Sequence, residues 1–61
     1  MHRNELKPAR HRAKLTQQEL ADVAGVSRKV ISDIERGIGN PSMNTWEHIV
    51  AVIGASLEAK A

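Results

Sequence analysis

Apolar side chains recur at intervals of three and four residues along four segments of this chain, with polar residues between them. This is the helical period, since residues three and four apart share one face of a helix. Ile31 and Ile34 show the spacing in the third segment, and Ile49 and Ile53 show it in the fourth. The pattern predicts an all-α fold, with helices at about residues 5–14, 17–24, 28–36 and 43–53.

Residues with strong capping preferences stand at the ends of these segments. Thr16 and Glu19 have the spacing of a capping box, in which each side chain bonds the backbone amide of the other residue. Gly25 can end the second helix in the left-handed conformation, and Ser27 can cap the start of the third. Gly54 is predicted to end the fourth helix.

The last seven residues, 55–61, allow two interpretations. Their apolar and polar side chains alternate, as in a strand, but Ala, Leu, Glu and Lys are good helix formers. A single strand in a helical protein leaves its backbone groups unpaired, so a strand here would need the same strand of a second subunit. The segment is therefore predicted as either a helix or a short dimerising β-strand.

Composition is that of one small globular domain covering residues 1–61, with 41% hydrophobic and 26% charged residues. The absence of cysteine excludes disulfides and thiolate metal sites and suits the reducing cytoplasm, where we expect the protein. No apolar run reaches the roughly 20 residues needed to cross a bilayer, so no membrane partner is expected. Residues 1–15 carry five basic side chains and one acidic side chain, which favours an anionic partner.

The sequence contains no set of residues with the spacing expected of a catalytic site or a cofactor site. Its three histidines share no metal-ligand spacing, and the glycines at 37 and 39 end a helix rather than open a nucleotide-binding loop. Trp46 is the only aromatic residue and is expected in the core, so stacking platforms for single-stranded nucleic acid are missing. We therefore expect no enzyme activity, no metal and no cofactor.

Residues 17–36 meet the requirements of two short helices that cross closely at a tight joint. The crossing needs a small residue, which is Ala21, and the joint needs a positive φ, which Gly25 allows. Val26 is the apolar residue that can pack beneath the joint. This is the helix-turn-helix arrangement, whose second helix, residues 28–36, is presented to the DNA major groove.

Four short motifs resemble the helix-turn-helix family of lambdoid phage repressors and Cro, the XRE-like family. In the family's order and spacing they are LTQQELA at 15–21, GVS at 25–27, ISDIERG at 31–37 and NPS at 40–42. The resemblance implies a compact lambda-repressor-like domain of four helices, or of five elements. It also implies sequence-specific binding of double-stranded DNA.

The same resemblance implies roles for individual residues. The residues expected to contact bases are Ser27, Arg28, Lys29, Ser32 and Asp33. The residues expected to contact the DNA backbone are Thr16, Gln17, Arg36 and Asn40. Arg10 and Glu35 match a buried ion pair of some repressors of this family, and they are expected to hold the first helix against the third.

Physical chemistry supports some of these roles and leaves others open. Arg28 and Lys29 stand at a helix N-terminus, where exposed amides and the helix dipole favour approach to phosphate. Arg28 can bind guanine O6 and N7 with two hydrogen bonds, although both cations can also be solvated surface charges. Asp33 can accept from cytosine N4 or pair with Lys29 four residues earlier, and the sequence does not decide between them.

Two hypotheses for function follow. The first is a transcriptional regulator, most simply a repressor, that binds a palindromic operator as a homodimer. The second is an antitoxin that binds a toxin protein and represses its own operon, because residues 27–29 and the alternating tail resemble HipB-like antitoxins. An isolated DNA-binding domain of a longer regulator is a third interpretation.

Overall fold

The computed structural model describes the backbone of residues 1–60 and the side chains of residues 1–58. A 3-10 turn, Arg3–Glu5, leads into helix α1, Leu6–Arg12. Helices α2, Gln17–Ala24, and α3, Arg28–Glu35, follow, and α4, Met43–Lys60, is the longest element. All the regular structure in this part of the chain is helical, which confirms the predicted all-α fold.

Helices α2 and α3 begin and end close to the predicted positions. The Thr16 hydroxyl accepts from the amide of Glu19, and the Glu19 carboxylate accepts from the amide of Thr16, so the capping box is formed. Gly25 ends α2 with φ of 71°. The Ser27 hydroxyl accepts from the amide of Val30, 3.3 Å away, and so caps α3. Because a capping side chain bonds an amide close to it in sequence, these helix ends can be predicted from the sequence alone.

Helix α1 is shorter than predicted at both ends: the chain enters it through the 3-10 turn and leaves it after Arg12. His2 caps this turn: its ring accepts from the amide of Asn4, and its own amide donates to Glu5. Pro8 is the third residue of α1 and so lies in the first turn, where its missing N–H costs little. Lys14 has φ of 59° and turns the chain towards α2.

Helix α4 corrects the predicted end at Gly54 and agrees with the helical alternative for the tail. It continues through Gly54 to Lys60, so Gly54 does not end it, and residues 55–60 are helix rather than strand. Packing explains the difference, because Val52 and Leu57, on either side of Gly54, contact the hydrophobic core. This burial offsets the cost of an interior glycine, about 1 kcal/mol. Ala61, the last residue of the predicted strand, lies outside the described residues.

The core is a single cluster between the helices. Its buried members are Leu6, Ala9, Leu20, Ala21, Ala24, Ile31, Ile34, Ile49 and Ile53. Ala21 is fully buried, as the predicted close crossing of α2 and α3 requires. Trp46 is half-buried and packs against the edge of the cluster rather than at its centre.

None of the helices in the described part of the chain combines the length and the apolar character required to span a membrane.

Candidate nucleic-acid interface

The N-terminus of α3 is a cationic, solvent-exposed end. Ser27, Arg28 and Lys29 are all exposed, and Lys29 has 82% of its side chain accessible. The opposite side of the same helix is apolar, because Ile31 and Ile34 are buried in the core. The helix is therefore held by one face and offers the other to a partner, with its positive dipole end beside two cationic side chains.

The middle of the exposed α3 face is less accessible. Ser32 and Asp33 are both half-buried. The Asp33 carboxylate accepts from Lys29 Nζ at 2.7 Å, and Arg36 Nη1 lies 4.0 Å from its other oxygen. The structure thus contains the pairing of Asp33 with Lys29 that was one of the two alternatives for this residue.

The start of α2 lies against the end of α3. Gln17 is half-buried, and its Nε2 donates to Glu35 Oε1 at 3.1 Å. Thr16 is exposed, but its hydroxyl is occupied by the capping box. The hydrogen bond from Gln17 therefore ties the first turn of α2 to the last turn of α3.

The loop after α3 continues the exposed surface. Arg36 and Asn40 are both exposed, and the glycines at 37 and 39 have φ of 79° and 82°. The amide of Ile38 donates to the carbonyl of Asp33 at 2.9 Å, which folds the loop back onto α3. Arg3 Nη1 donates to the carbonyl of Gly39 at 3.2 Å, so the start of the chain also holds this loop.

A buried ion pair joins α1 to α3. Arg10 Nε donates to Glu35 Oε2 at 2.6 Å, and Arg10 Nη2 donates to Oε1 at 3.0 Å. The two side chains are only 8% and 3% exposed. Arg10 Nη1 also donates to the carbonyl of Leu15 at 2.8 Å, so one guanidinium fixes α1, the turn before α2 and α3.

The profile of the helix-turn-helix family matches residues 6–59, which is nearly the whole chain. The protein belongs to the helix-turn-helix family. Within this helix-turn-helix protein, α2 and α3 are the paired helices, and Gly25 is the joint between them.

Two curated relatives are similar to most of this chain. An immunity repressor protein of Bacillus phage phi105 is 41% identical over 54 residues, which make up 88% of this chain but 38% of that protein. An uncharacterized HTH-type transcriptional regulator of Archaeoglobus fulgidus is 38% identical over 56 residues, covering 92% of this chain and 79% of that protein. This chain thus spans well under half of the phage repressor. No solved structure matches the chain significantly.

Sequence reasoning missed two residues that shape this helix-turn-helix surface. Arg3 was counted only as part of the basic N-terminal segment, yet it holds the loop at Gly39. His2 was given no role, yet it caps the first turn of the chain. The spacing of His2 and Glu5 could have indicated the cap, because an acidic residue three positions after a capping side chain is the capping-box pattern. No local signal indicated the contact of Arg3, which joins residues 36 positions apart.

Several neighbouring groups shift the pKa of the Glu35 carboxyl. Burial raises the pKa of its carboxyl, but hydrogen bonds from Arg10 and Gln17 and the positive charges of Arg10 and Lys7 outweigh burial. The pKa therefore lies below its ordinary value of 4.5. Because the folded state holds this carboxylate in its charged form, its ionisation stabilises the helix-turn-helix domain.

The stability of the domain is expected to fall in acid because of Glu35. A carboxyl whose pKa is lowered by folding contributes stability above its unfolded pKa, and this contribution is lost as the pH falls through the folded pKa. We expect the free energy of unfolding to be level above about pH 5.5 and to fall below about pH 4.5. Urea unfolding followed by circular dichroism from pH 3 to 7 measures this.

The matched control for the acid effect is Glu47→Gln, which removes an exposed carboxylate on α4. The double variant Arg10→Met/Glu35→Leu, which removes the carboxylate without leaving Arg10 unpaired, is expected to flatten the acid limb of the stability curve, whereas Glu47→Gln is expected to leave it unchanged. Equal limbs in the double variant and the parent protein would contradict the role of Glu35.

Proposed function

We propose that this protein is a transcriptional regulator that binds double-stranded DNA in a sequence-specific manner and acts as a repressor. The observation that carries the proposal is the exposed, cationic N-terminus of α3, with Arg28 and Lys29 on a helix whose other face is buried in the core. Membership of the helix-turn-helix family supports it, as do relatives named as a repressor and a transcriptional regulator. In this proposal the protein binds DNA and does not act as an enzyme. It acts on DNA in the cytoplasm.

In this proposal α3 reads the major groove. Arg28 binds guanine O6 and N7, which gives about 1–3 kcal/mol of discrimination, and Lys29 reaches a neighbouring guanine or a phosphate. Ser27 and Ser32 contact bases beside them. The phosphate contacts come from the two ends of the motif: Thr16 and Gln17 at the start of α2, and Arg36 and Asn40 at and after the end of α3.

We further propose that the protein binds as a homodimer. One domain of this size buries too little DNA surface for tight binding, and two copies on a palindrome with half-sites about 34 Å apart would place each α3 in a successive major groove. The exposure of Val23, 62%, and of Ala51 leaves apolar surface for contact between copies. Repression then follows sterically, because the dimer occupies promoter DNA.

The first experiment is selection of bound DNA from a random duplex library, followed by affinity measurements on the selected site. We expect a palindromic consensus and an affinity that falls steeply between 50 and 200 mM salt, because each neutralised phosphate releases counterions. Arg28→Ala is expected to relax base preference at one position of each half-site. Gln17→Ala is expected to weaken all sequences alike.

Arg12→Ala is the matched control for Arg28→Ala, because it also removes one exposed cation but lies at the end of α1. It is expected to reduce the affinity for all DNA slightly and to leave the consensus unchanged. The proposal fails if the parent protein does not shift DNA at low salt, or if its affinity does not depend on salt.

The antitoxin hypothesis loses one of its two supports. It depended on the helix start at residues 27–29 and on an alternating tail that pairs as a strand, and residues 55–60 are helical. The start of α3 serves either function, since such antitoxins also bind operator DNA. A toxin gene adjoining this one, with co-purification of the two products, would revive the hypothesis.

A further inference from the structure

Asp33 is the one acidic side chain among the residues assigned to base contact, and two cations lie beside it. Lys29 Nζ is 2.7 Å from Oδ2, and Arg36 Nη1 is 4.0 Å from Oδ1. The side chain of Asp33 is 19% exposed, whereas those of Lys29 and Arg36 are 82% and 67% exposed. The Asp33 carboxylate is thus largely buried, while the side chains of both cations are mostly exposed to solvent.

The surroundings of Asp33 explain why its position is fixed. Its backbone carbonyl accepts from the amide of Ile38, and the loop packs so closely that a Cβ on Gly39 would lie 3.2 Å from the Asp33 Cβ. A carboxylate fixed on a surface that meets DNA repels phosphate and also neutralises the two cations beside it. These two effects lower the attraction of α3 for DNA of any sequence.

We propose that Asp33 is a specificity-determining residue that withholds Lys29 from DNA until a cytosine is bound. The cytosine N4 amino group donates to the carboxylate in place of Lys29, which is then released to phosphate or guanine. On other sequences the ion pair persists and the affinity stays low. This inference rests on the proposed function, because it requires α3 to lie in the major groove.

The test compares Asp33→Asn with the parent protein on the selected site and on an unrelated duplex, from 0.1 to 1 M salt. Releasing one cation to phosphate raises the salt slope by about 0.9 per bound protomer, or about eightfold in affinity between 1 and 0.1 M salt. We therefore expect Asp33→Asn to bind the unrelated duplex about eightfold more tightly at 0.1 M salt. We expect no such gain on the selected site, and loss of the preference for cytosine at one position.

Two further variants separate this effect from net charge and from folding. Asp22→Asn makes the same charge change on α2, where the Asp22 carboxylate accepts from Gln18 instead of a cation. It is expected to change both affinities by the same small factor. In a Lys29→Met background, the gain from Asp33→Asn on the unrelated duplex is expected to shrink, and circular dichroism confirms that each variant is folded.

The experiment distinguishes a failure of the proposed function from a failure of this inference. If the parent protein binds no DNA, the proposed function and this inference both fail. If the parent protein binds with a clear consensus but Asp33→Asn matches Asp22→Asn in salt slope and in discrimination, the inference is overturned and the function stands. Weaker binding of Asp33→Asn to the unrelated duplex also overturns it.

Discussion

Replacement of Glu35 by alanine is expected to lower the free energy of unfolding by about 3–5 kcal/mol, because it leaves a buried cation without its partner. Arg10 is 7% exposed, and two of its N–H groups donate to Glu35. Gln17 loses the same acceptor. The core of so small a domain supplies only about 3–5 kcal/mol, so the variant is expected to be largely unfolded at 25 °C. Urea and thermal unfolding followed by circular dichroism measure the loss.

The control is the double variant Arg10→Met/Glu35→Leu, which removes both charges and fills the space with apolar atoms. Replacing a whole buried ion pair in this way is often neutral or stabilising, so this protein is expected to recover most of the lost stability. Recovery would assign the loss in Glu35→Ala to the unpaired charge of Arg10. If Glu35→Ala were as stable as the parent protein, the ion pair would not hold α1 against α3.

Ile31→Ala is expected to destabilise the domain by about 2–5 kcal/mol, the usual range for truncating a buried isoleucine. Ile31 is fully buried and lies on the inner face of α3, where it belongs to the core cluster. The truncation leaves a cavity beneath α3 as well as removing apolar contacts. DNA affinity is expected to fall in proportion to the unfolded fraction, since the substitution leaves the exposed face of α3 unchanged.

Met43→Ala is the matched control for the core substitution, because Met43 lies at the start of α4 and is 68% exposed. A surface truncation of this kind is expected to change the free energy of unfolding by less than about 0.5 kcal/mol. If Ile31→Ala and Met43→Ala had similar effects on urea unfolding, Ile31 would not be part of a packed core.

The ends of α2 and α3 could be predicted from the sequence because the interactions that set them are local. Thr16 with Glu19, and Ser27 with the amide of Val30, are three residues apart, so their spacing reveals the caps. Gly25 was predicted to take a positive φ, and it does. The exposed position of Lys29 follows in the same way, because two residues turn the helix by about 200° and so place Lys29 on the face opposite Ile31.

Only part of the candidate site could be predicted from the sequence. The pairing of Lys29 with Asp33 was foreseen as one alternative, but spacing alone does not exclude a base as partner. The hydrogen bonds of Glu35 to Arg10 and Gln17 span 25 and 18 residues, and no periodicity indicates contacts of that range. A family resemblance supplied the pairing of Arg10 with Glu35, and only the structure supplied the bond to Gln17.

The C-terminal part of the chain shows where local sequence signals no longer predict the structure. Within residues 16–35, capping groups and apolar spacing were enough to define the helices, because each of those signals acts over one or two turns. Beyond Gly54 local signals conflicted: a helix-breaking glycine and an alternating tail opposed helix-forming residues. Helix α4 runs through this region, and Val52 and Leu57 on it both pack against the core. This burial depends on where α1 and α2 lie in space, because α4 packs against both of them.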